Sequence, residues 1–355
     1  MGMPKYVLIK NYISKLVKEG KLKPGDRVFS EAELSRKFSV TEMTARHALE
    51  SLSGEGAVSR IHGKGTFITG KDSFGSGNGN LWFILPEKLA GIEPNPYYSP
   101  ILWGAERAAR KAGYRFVIMS IDGQKEILSE RIDMERVKGV MFAGFDVSGR
   151  INGLLSHNIP VVMVDCLDRS GVSDSVCPDN FSGVKEALKH LASKGHRKIA
   201  HIAGDIKHTN GDERKQAYLE FSYDNGFKEA KNFILKGDFL FMTAKKSVEA
   251  GFEKIRKCSA VFAANDMSAL GAIAALKNKG VRIPGDISVI GFDDIDFSKY
   301  SSPELTTVRV DKCSMGEAAV GCLMERAGGM FSKKKVKRIK TGLVIRNSVS
   351  QFNKK

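Results

Sequence analysis

The sequence has no long run of apolar residues. Nothing in its 355 residues approaches the ~18 uncharged apolar positions of a membrane-spanning helix, so no span is expected. The opening residues, MGMPKYVLIK, lack the apolar centre of a secretory signal, and a cytoplasmic protein is the expectation. Cysteine is scarce. Cys166, Cys177, Cys258, Cys313 and Cys322 are odd in number and widely scattered, with no CxxC spacing, which excludes a disulfide framework and the usual zinc and dithiol motifs. No GxSxG nucleophile motif is present, so the chain does not read as an enzyme. Asp293, Asp294 and Asp296 lack the further turn ligands of a calcium loop, and His190, His196 and His201 read as structural, so neither a metal nor another cofactor is expected.

Acidic residues are missing from one stretch altogether. Residues 331–355 hold nine Lys/Arg and no Asp/Glu, and residues 1–70 hold twelve Lys/Arg against seven Asp/Glu, so most of the net charge of +16 sits at the two ends. A basic N-terminal module suits phosphate contacts with counterion release. The cluster Lys333, Lys334, Lys335, Lys337, Arg338 and Lys340 reads as a solvated loop.

Within residues 1–69 the apolar spacing is helical in three places. Tyr6, Ile9, Ile13, Leu16 and Val17 mark a helix over residues 5–19, and Ala32, Leu34 and Phe38 mark a second. Ser30 with Glu33 three residues later forms a capping-box pattern ahead of that second helix. Ser39-Val40-Thr41 then turns the chain, with Val40 plugging the core and Thr41 capping a third helix that carries Ala45, Ala48, Leu49 and Leu52. The third helix presents Thr41, Glu42, Thr44, Arg46 and His47, hydrogen-bonding groups suited to phosphates and base edges. Residues 56–61 and 66–68 alternate as two strands around His62-Gly63-Lys64-Gly65, so the whole reads as a winged helix-turn-helix.

The order and turn residues of this module resemble the GntR family of bacterial transcription regulators. The matching motifs are Lys23-Pro24-Gly25, Ser30-Glu31-x-Glu33-Leu34, Phe38-Ser39-Val40, Thr44-x-Arg46-x-Ala48-Leu49 and Gly63-Lys64-Gly65-Thr66-Phe67. That resemblance implies DNA contacts from Ser30, Glu31, Thr41, Glu42, Thr44, Arg46, His47, His62, Gly63 and Lys64. Phe29 stands where a proline is usual, and Thr41-Glu42 where Ser-Arg usually opens the recognition helix. A carboxylate at position 42 would repel a phosphate, although it can accept from a cytosine amino group.

Residues 70–80, rich in Gly, Ser and Asn, have a flexible-linker composition. From residue 81 to 355 strands and helices alternate. Strands are expected at 81–85, 114–120, 139–142, 161–164, 199–203, 260–263 and 288–292, and helices at 100–112, 126–138, 151–157, 181–194, 215–226, 247–255 and 266–279. The fold class is therefore α/β, two doubly wound parallel-sheet lobes with a ligand cleft at the strand carboxyl ends.

This half resembles the LacI/GalR type of effector domain, the periplasmic-binding-protein fold. The resemblance rests on Asn95-Pro96-Tyr97-Tyr98, Asp179-Asn180-x-x-Gly183, Ala264-Asn265-Asp266, Gly291-Phe292-Asp293-Asp294 and Arg346-Asn347-Ser348. A GntR-type head on such a body resembles the arabinose-repressor branch of the family. It implies a small-molecule effector, a sugar, held by Arg214, Asn265, Asp293 and Asp165, with Tyr98 and Trp103 as aromatic candidates. The expected function is a DNA-binding repressor acting on operator DNA as a homodimer. A second reading is a sugar-binding sensor whose head contacts a protein.

Overall fold

The computed structural model describes residues 5–54, 57–61, 63–69, 79–86, 95–121, 136–144, 154, 158–227, 229–327 and 334–352. Two compact units emerge. One is residues 1–80 with 113–115, and the other is residues 81–112 with 116–355. The linker expected at 70–80 lies outside the described residues apart from its last two positions, as do most of the helix expected at 126–138 and all of that at 151–157 except Leu154.

In the head, α1 (Lys5–Lys18) buries Ile9 and Ile13 at four-residue spacing against α2 (Glu31–Phe38) and α3 (Glu42–Gly54), through Leu34, Ala45, Ala48, Leu49 and Leu52. The capping box forms as the spacing predicts. Ser30 Oγ accepts from the Glu33 N–H at 3.2 Å, and a Glu33 carboxylate oxygen accepts from the Ser30 N–H at 2.6 Å. Ser39 closes α2 in the left-handed region, Val40 packs half-buried on the core, and Thr41 Oγ1 accepts from the Thr44 N–H at 3.3 Å. Strands β1 (Val58–Ile61) and β2 (Gly65–Ile68) pair antiparallel, and Arg27 bridges to Phe67 as a third extended segment. Gly65 has φ +117, and a Cβ there would meet Arg27 Nε at 2.9 Å, so the wing needs glycine at this position.

The body holds two six-stranded sheets. The strands of the first are β3 (Asn80–Pro86), β4 (Arg115–Ile121), β5 (Val137–Ala143), β6 (Val161–Val164), β7 (Asp174–Pro178) and β13 (Val336–Ile339), in spatial order β13-β7-β6-β5-β3-β4. The second contains β8 (Ile199–Ile202), β9 (Ile234–Leu235), β10 (Ala260–Ala263), β11 (Ser288–Asp293), β12 (Thr306–Val310) and β14 (Thr341–Val344), in the order β14-β12-β11-β10-β8-β9. The pairs β13·β7, β7·β6, β6·β5, β9·β8, β8·β10, β10·β11 and β11·β12 are parallel, and β14 adds antiparallel to β12.

Among the described residues the body also has helices α4 (Tyr98–Lys111), α5 (Asn180–Ser193), α6 (Thr209–Asp224), α7 (Phe241–Ala250), α8 (Phe252–Ile255), α9 (Asp266–Asn278), α10 (Phe297–Tyr300) and α11 (Lys312–Ala327). The chain crosses between lobes three times, after β7, after β12 and after β13. The second crossing delivers α11 back onto α4 and the first sheet. Backbones meet there. A Cβ on Gly104 would lie 2.2 Å from the Cys313 carbonyl oxygen, and one on Gly316 would lie 2.0 Å from that of Ile101.

Several expectations need correction. Lys138 belongs to strand β5, not to a helix, because the apolar face of that strand begins at buried Val137. α6 starts at Thr209 rather than 215, since its first turn faces a polar interior, and the helix expected at 247–255 is two helices beginning at Phe241. The basic segment around Lys333–Lys340 is an edge strand rather than a loop over Val336–Ile339, where it pairs with Ser175–Pro178.

Candidate effector cleft and nucleic-acid interface

At the carboxyl ends of the two sheets, three of the expected cleft residues converge. Asp165 follows β6, buried and at φ +61. It accepts from the Tyr97 hydroxyl at 2.6 Å, the Tyr98 hydroxyl at 2.8 Å and Asn210 Nδ2 at 2.7 Å. Both tyrosines come from the entry to α4, where Asn95 Oδ1 accepts from their backbone N–H groups. Burial first, and the neighbouring Asp165 next, push both phenols well above their ordinary range, so they stay protonated.

Arg214, only 2% exposed, projects from α6. Its Nε donates to Asn180 Oδ1 at 2.8 Å, and its Nη1 donates to the Ala264 carbonyl at 2.6 Å and to Asp293 Oδ1 at 3.3 Å. The guanidinium carbon lies 3.8 Å above the centre of the Phe292 ring. Asp293 ends β11 at φ +113, and burial pushes its carboxyl up to about 7 although Arg214 and Lys312 pull it down. Among the described residues, Arg214 Nη2 and Asp293 Oδ2 have no hydrogen-bond partner. A donor and an acceptor thus stand side by side at a buried, charged site.

Asn265 sits at the same strand ends with both halves of its amide engaged. Its Oδ1 caps α9 by accepting from Ser268 N–H at 2.9 Å, and its Nδ2 donates to the Phe239 carbonyl at 3.1 Å. Phe239 was not expected from the sequence. It holds φ +72, and its ring lies against Gly204, where a Cβ would come within 2.3 Å of it. The ring is edge-on to His208 and 5.9 Å from the Arg214 guanidinium. Asp165, Phe239, Asp293 and Asp294 are four of the six non-glycine residues with positive φ among the described residues. Such strain persists only where surrounding contacts impose it, and it gathers at binding sites. Trp103 stands apart from the cluster, 56% exposed on α4 and stacked on Arg107.

Sequence reasoning missed Tyr97, Asn180, Asn210, Phe239 and Lys312. Tyr97 and Asn180 lie within the motifs that carried the resemblance. No local signal marks Asn210, Phe239 or Lys312. Lys312 is buried and donates to the carbonyls of Asp293, Asp294 and Val310, pinning the strained loop after β11 to the second crossing.

In the head, Thr41, Glu42, Arg46 and His47 are exposed on α3, and Thr44 is half-buried with its hydroxyl 3.0 Å from that of Thr41. Arg46 is not free-swinging. Glu31 accepts from it at 3.0 Å and, on the other carboxylate oxygen, from Arg60 of the wing. The His47 ring packs 4.7 Å from that of Tyr6. Gly63 turns the wing at φ +72 beside exposed Lys64, while His62 lies outside the described residues. Met43, 72% exposed beside Glu42, is a further unexpected member of this surface.

Residues 5–68 match the gntR family of bacterial regulatory proteins, and residues 188–349 match the periplasmic binding protein-like domain. The HTH-type transcriptional repressor PurR of Aliivibrio fischeri is 32% identical over 262 residues, covering 72% of this chain and 78% of the relative. A LacI family transcriptional regulator from Enterococcus faecium, solved with bound ribose, aligns with a TM-score of 0.66 at 26% identity, over 77% of this chain and all of that one. The chain belongs to the LacI-type regulators, with a gntR-type head. This regulator is a DNA-binding repressor controlled by an effector. The complex of the regulator CelR with cellobiose shares its fold, with a TM-score of 0.68 at 24% identity over 86% of this chain and 90% of that one. No described helix is long and apolar enough to cross a membrane.

Proposed function

We propose that the effector is a neutral sugar bound between the lobes, and that it controls a homodimer gripping a palindromic operator in the cytoplasm. The observation that carries the sugar reading is the adjacent Arg214 Nη2 donor and Asp293 Oδ2 acceptor. One hydroxyl group can accept from the first and donate to the second, which is how a polyol binds. The Phe239 ring offers an apolar face for the sugar's C–H groups, and the hydroxyls of Tyr97 and Tyr98, already donating to Asp165, are left as acceptors. Asn265 contributes by holding Phe239 in place. The ribose bound to the Enterococcus faecium relative supports the same ligand class.

On the DNA side, Arg46 and Thr44 contact bases or phosphates, Thr41 and His47 the backbone, and Lys64 the groove beside the wing. Ser30 and Gly63 approach the backbone through their main chain. Glu31 holds Arg46 and Arg60 in their DNA-facing positions, and Glu42 reads a cytosine amino group. Symmetric heads on a dimer require half-sites related by a two-fold axis.

A thermal-shift screen of the full chain against free pentoses, hexoses, nucleosides and sugar phosphates tests the effector class. A ligand that binds only the folded state raises the melting temperature, and at a concentration of 100 times its Kd it adds about 2.7 kcal/mol. A neutral monosaccharide giving the largest shift is the expected result, and a response confined to phosphates or free bases overturns the reading. Mobility shift with operator fragments then tests the head, since unchanged affinity in Arg46→Ala removes its recognition role.

A further inference from the structure

The basic segment Lys333–Lys340 is not accounted for by DNA binding or by the effector contacts, yet one of its side chains reaches the cleft machinery. Arg338 lies on β13, the edge of the first sheet, in register with Cys177. Its guanidinium makes a two-pronged contact with Glu213 on α6 of the second lobe. Nη2 donates to Glu213 Oε1 at 2.6 Å and Nη1 donates to Oε2 at 2.8 Å, and Nη1 also reaches the Pro178 carbonyl at 3.2 Å. The same Oε2 accepts from Asn180 Nδ2 at 2.7 Å. Asn180, 1% exposed, turns its Oδ1 to Arg214 Nε.

The chain of bonds therefore runs from the third crossing to the effector site: Arg338, Glu213, Asn180, Arg214. Each link is directional. Asn180 can give its carbonyl to Arg214 only while its amide nitrogen is held by Glu213 and by Asn210 Oδ1 at 2.9 Å. Glu213 can hold that nitrogen with one oxygen because Arg338 engages both and supplies the counter-charge. The side chain of Glu213 is 12% exposed and that of Arg338 is 34% exposed, so the pair is shielded without being sealed from water. Paired, fork-like contacts of this kind are the most directional ion pairs available to a side chain.

We propose that Arg338 and Glu213 form an interlobe clamp at the hinge, a pair of positioning residues that aims Arg214 through Asn180 and ties effector affinity to lobe closure. The proposal rests on the effector reading above for its ligand, but the clamp itself is a property of the unliganded hinge. Opening the hinge pulls Arg338 from Glu213 and releases Asn180, so Arg214 loses its orientation as the cleft opens. Binding that requires an aimed Arg214 favours the closed arrangement.

Two measurements on the full chain decide it. The first is isothermal titration with D-ribose as the probe. The second is hydrogen exchange of the unliganded protein over residues 177–184 and 336–343, which contain the Asp179 N–H bonded to the Ile339 carbonyl at 2.9 Å. The expected result is that Arg338→Met and Glu213→Gln each weaken ribose binding about tenfold and speed exchange in both segments. The double variant is expected to be no weaker than the worse single one, because the residues act as a unit. Arg338→Lys, which keeps the charge but loses the fork, should fall between parent and Arg338→Met. Additive losses, or ribose binding at the parental affinity in both single variants, overturn the clamp. If the parent does not bind ribose, the effector reading loses that ligand while exchange still decides the clamp, and parental exchange rates in both single variants overturn it.

Discussion

Replacing Asp293 by asparagine should make the unliganded body more stable at alkaline pH while weakening its hold on a sugar. Burial raises this carboxyl to about 7 in the fold, whereas in the unfolded chain it titrates near 4. The folded state therefore binds more protons than the unfolded state between those values, and stability falls as pH rises through that window. At pH 8 the charged carboxylate costs about 4 kcal/mol, which asparagine removes. The value of about 7 already includes the pull of Arg214 on the carboxylate, so the loss of that contact is not deducted a second time. A gain of about 4 kcal/mol corresponds to a rise in Tm of about 8–16 °C at pH 8. At pH 5 the folded carboxyl is already neutral, and the gain shrinks to about 1 kcal/mol. Differential scanning calorimetry of parent and Asp293→Asn across pH 5–8 checks this, and a difference in Tm that does not grow with pH refutes it. Titration of the sugar at pH 8 supplies the other half, where the variant should bind more weakly because Oδ2 no longer presents a charged acceptor.

Two shorter predictions concern packing and the aromatic wall. Gly104→Val should destabilise the body by about 3 kcal/mol, because its side chain collides with the Cys313 backbone where α11 meets α4, and a Tm within a degree of the parent counts against that contact. Phe239→Ala should weaken sugar binding up to about tenfold with little change in the unliganded Tm, since the half-buried ring leaves as strain at φ +72 persists; titration calorimetry against a melting curve separates the two effects.

The head was readable from local signals because its determinants are local. Ser30 and Glu33 are three residues apart, and the apolar positions of α1 to α3 repeat at helical spacing, so capping box, turn and core follow from spacing alone. The body was readable where a strand is continuously apolar, as in Val161–Val164 and Ala260–Ala263. The first turn of α6 escaped because Thr209, Asn210 and Arg214 are buried polar residues, invisible to a reading that expects apolar groups inside. Strand β13 escaped for another reason. Its sequence is dominated by Lys337 and Arg338, and its partner β7 lies about 160 residues earlier, so only the tertiary ladder makes it a strand. Within the cleft, Asp165, Arg214 and Asp293 came from resemblance, whereas Asn180 and Phe239 matter through what they touch elsewhere in the second lobe.

The distribution of charge explains how one strongly basic chain keeps its two binding tasks apart. The net charge of +16 suggests a molecule that attracts anions everywhere, but the cleft is closely balanced. Burial pushes Asp266 well above the carboxylate range while its two oxygens accept from the Thr307 hydroxyl and the Ile295 N–H, and at the cleft Asp165 and Asp293 stand against Arg214 and Lys312. Lys312 is committed to three backbone carbonyls and has no proton left for an anion. A phosphate entering this site would bring its charge next to two carboxylates with only one guanidinium edge to answer it, and a desolvated unpaired charge is among the most expensive groups to bury. A neutral polyol meets no such penalty. The exposed arginines and lysines of the head, by contrast, sit in water where phosphate contacts release counterions. DNA is thus drawn to the head by charges that the cleft lacks in excess, and the proposed neutral effector suits the cleft through its paired donors and acceptors.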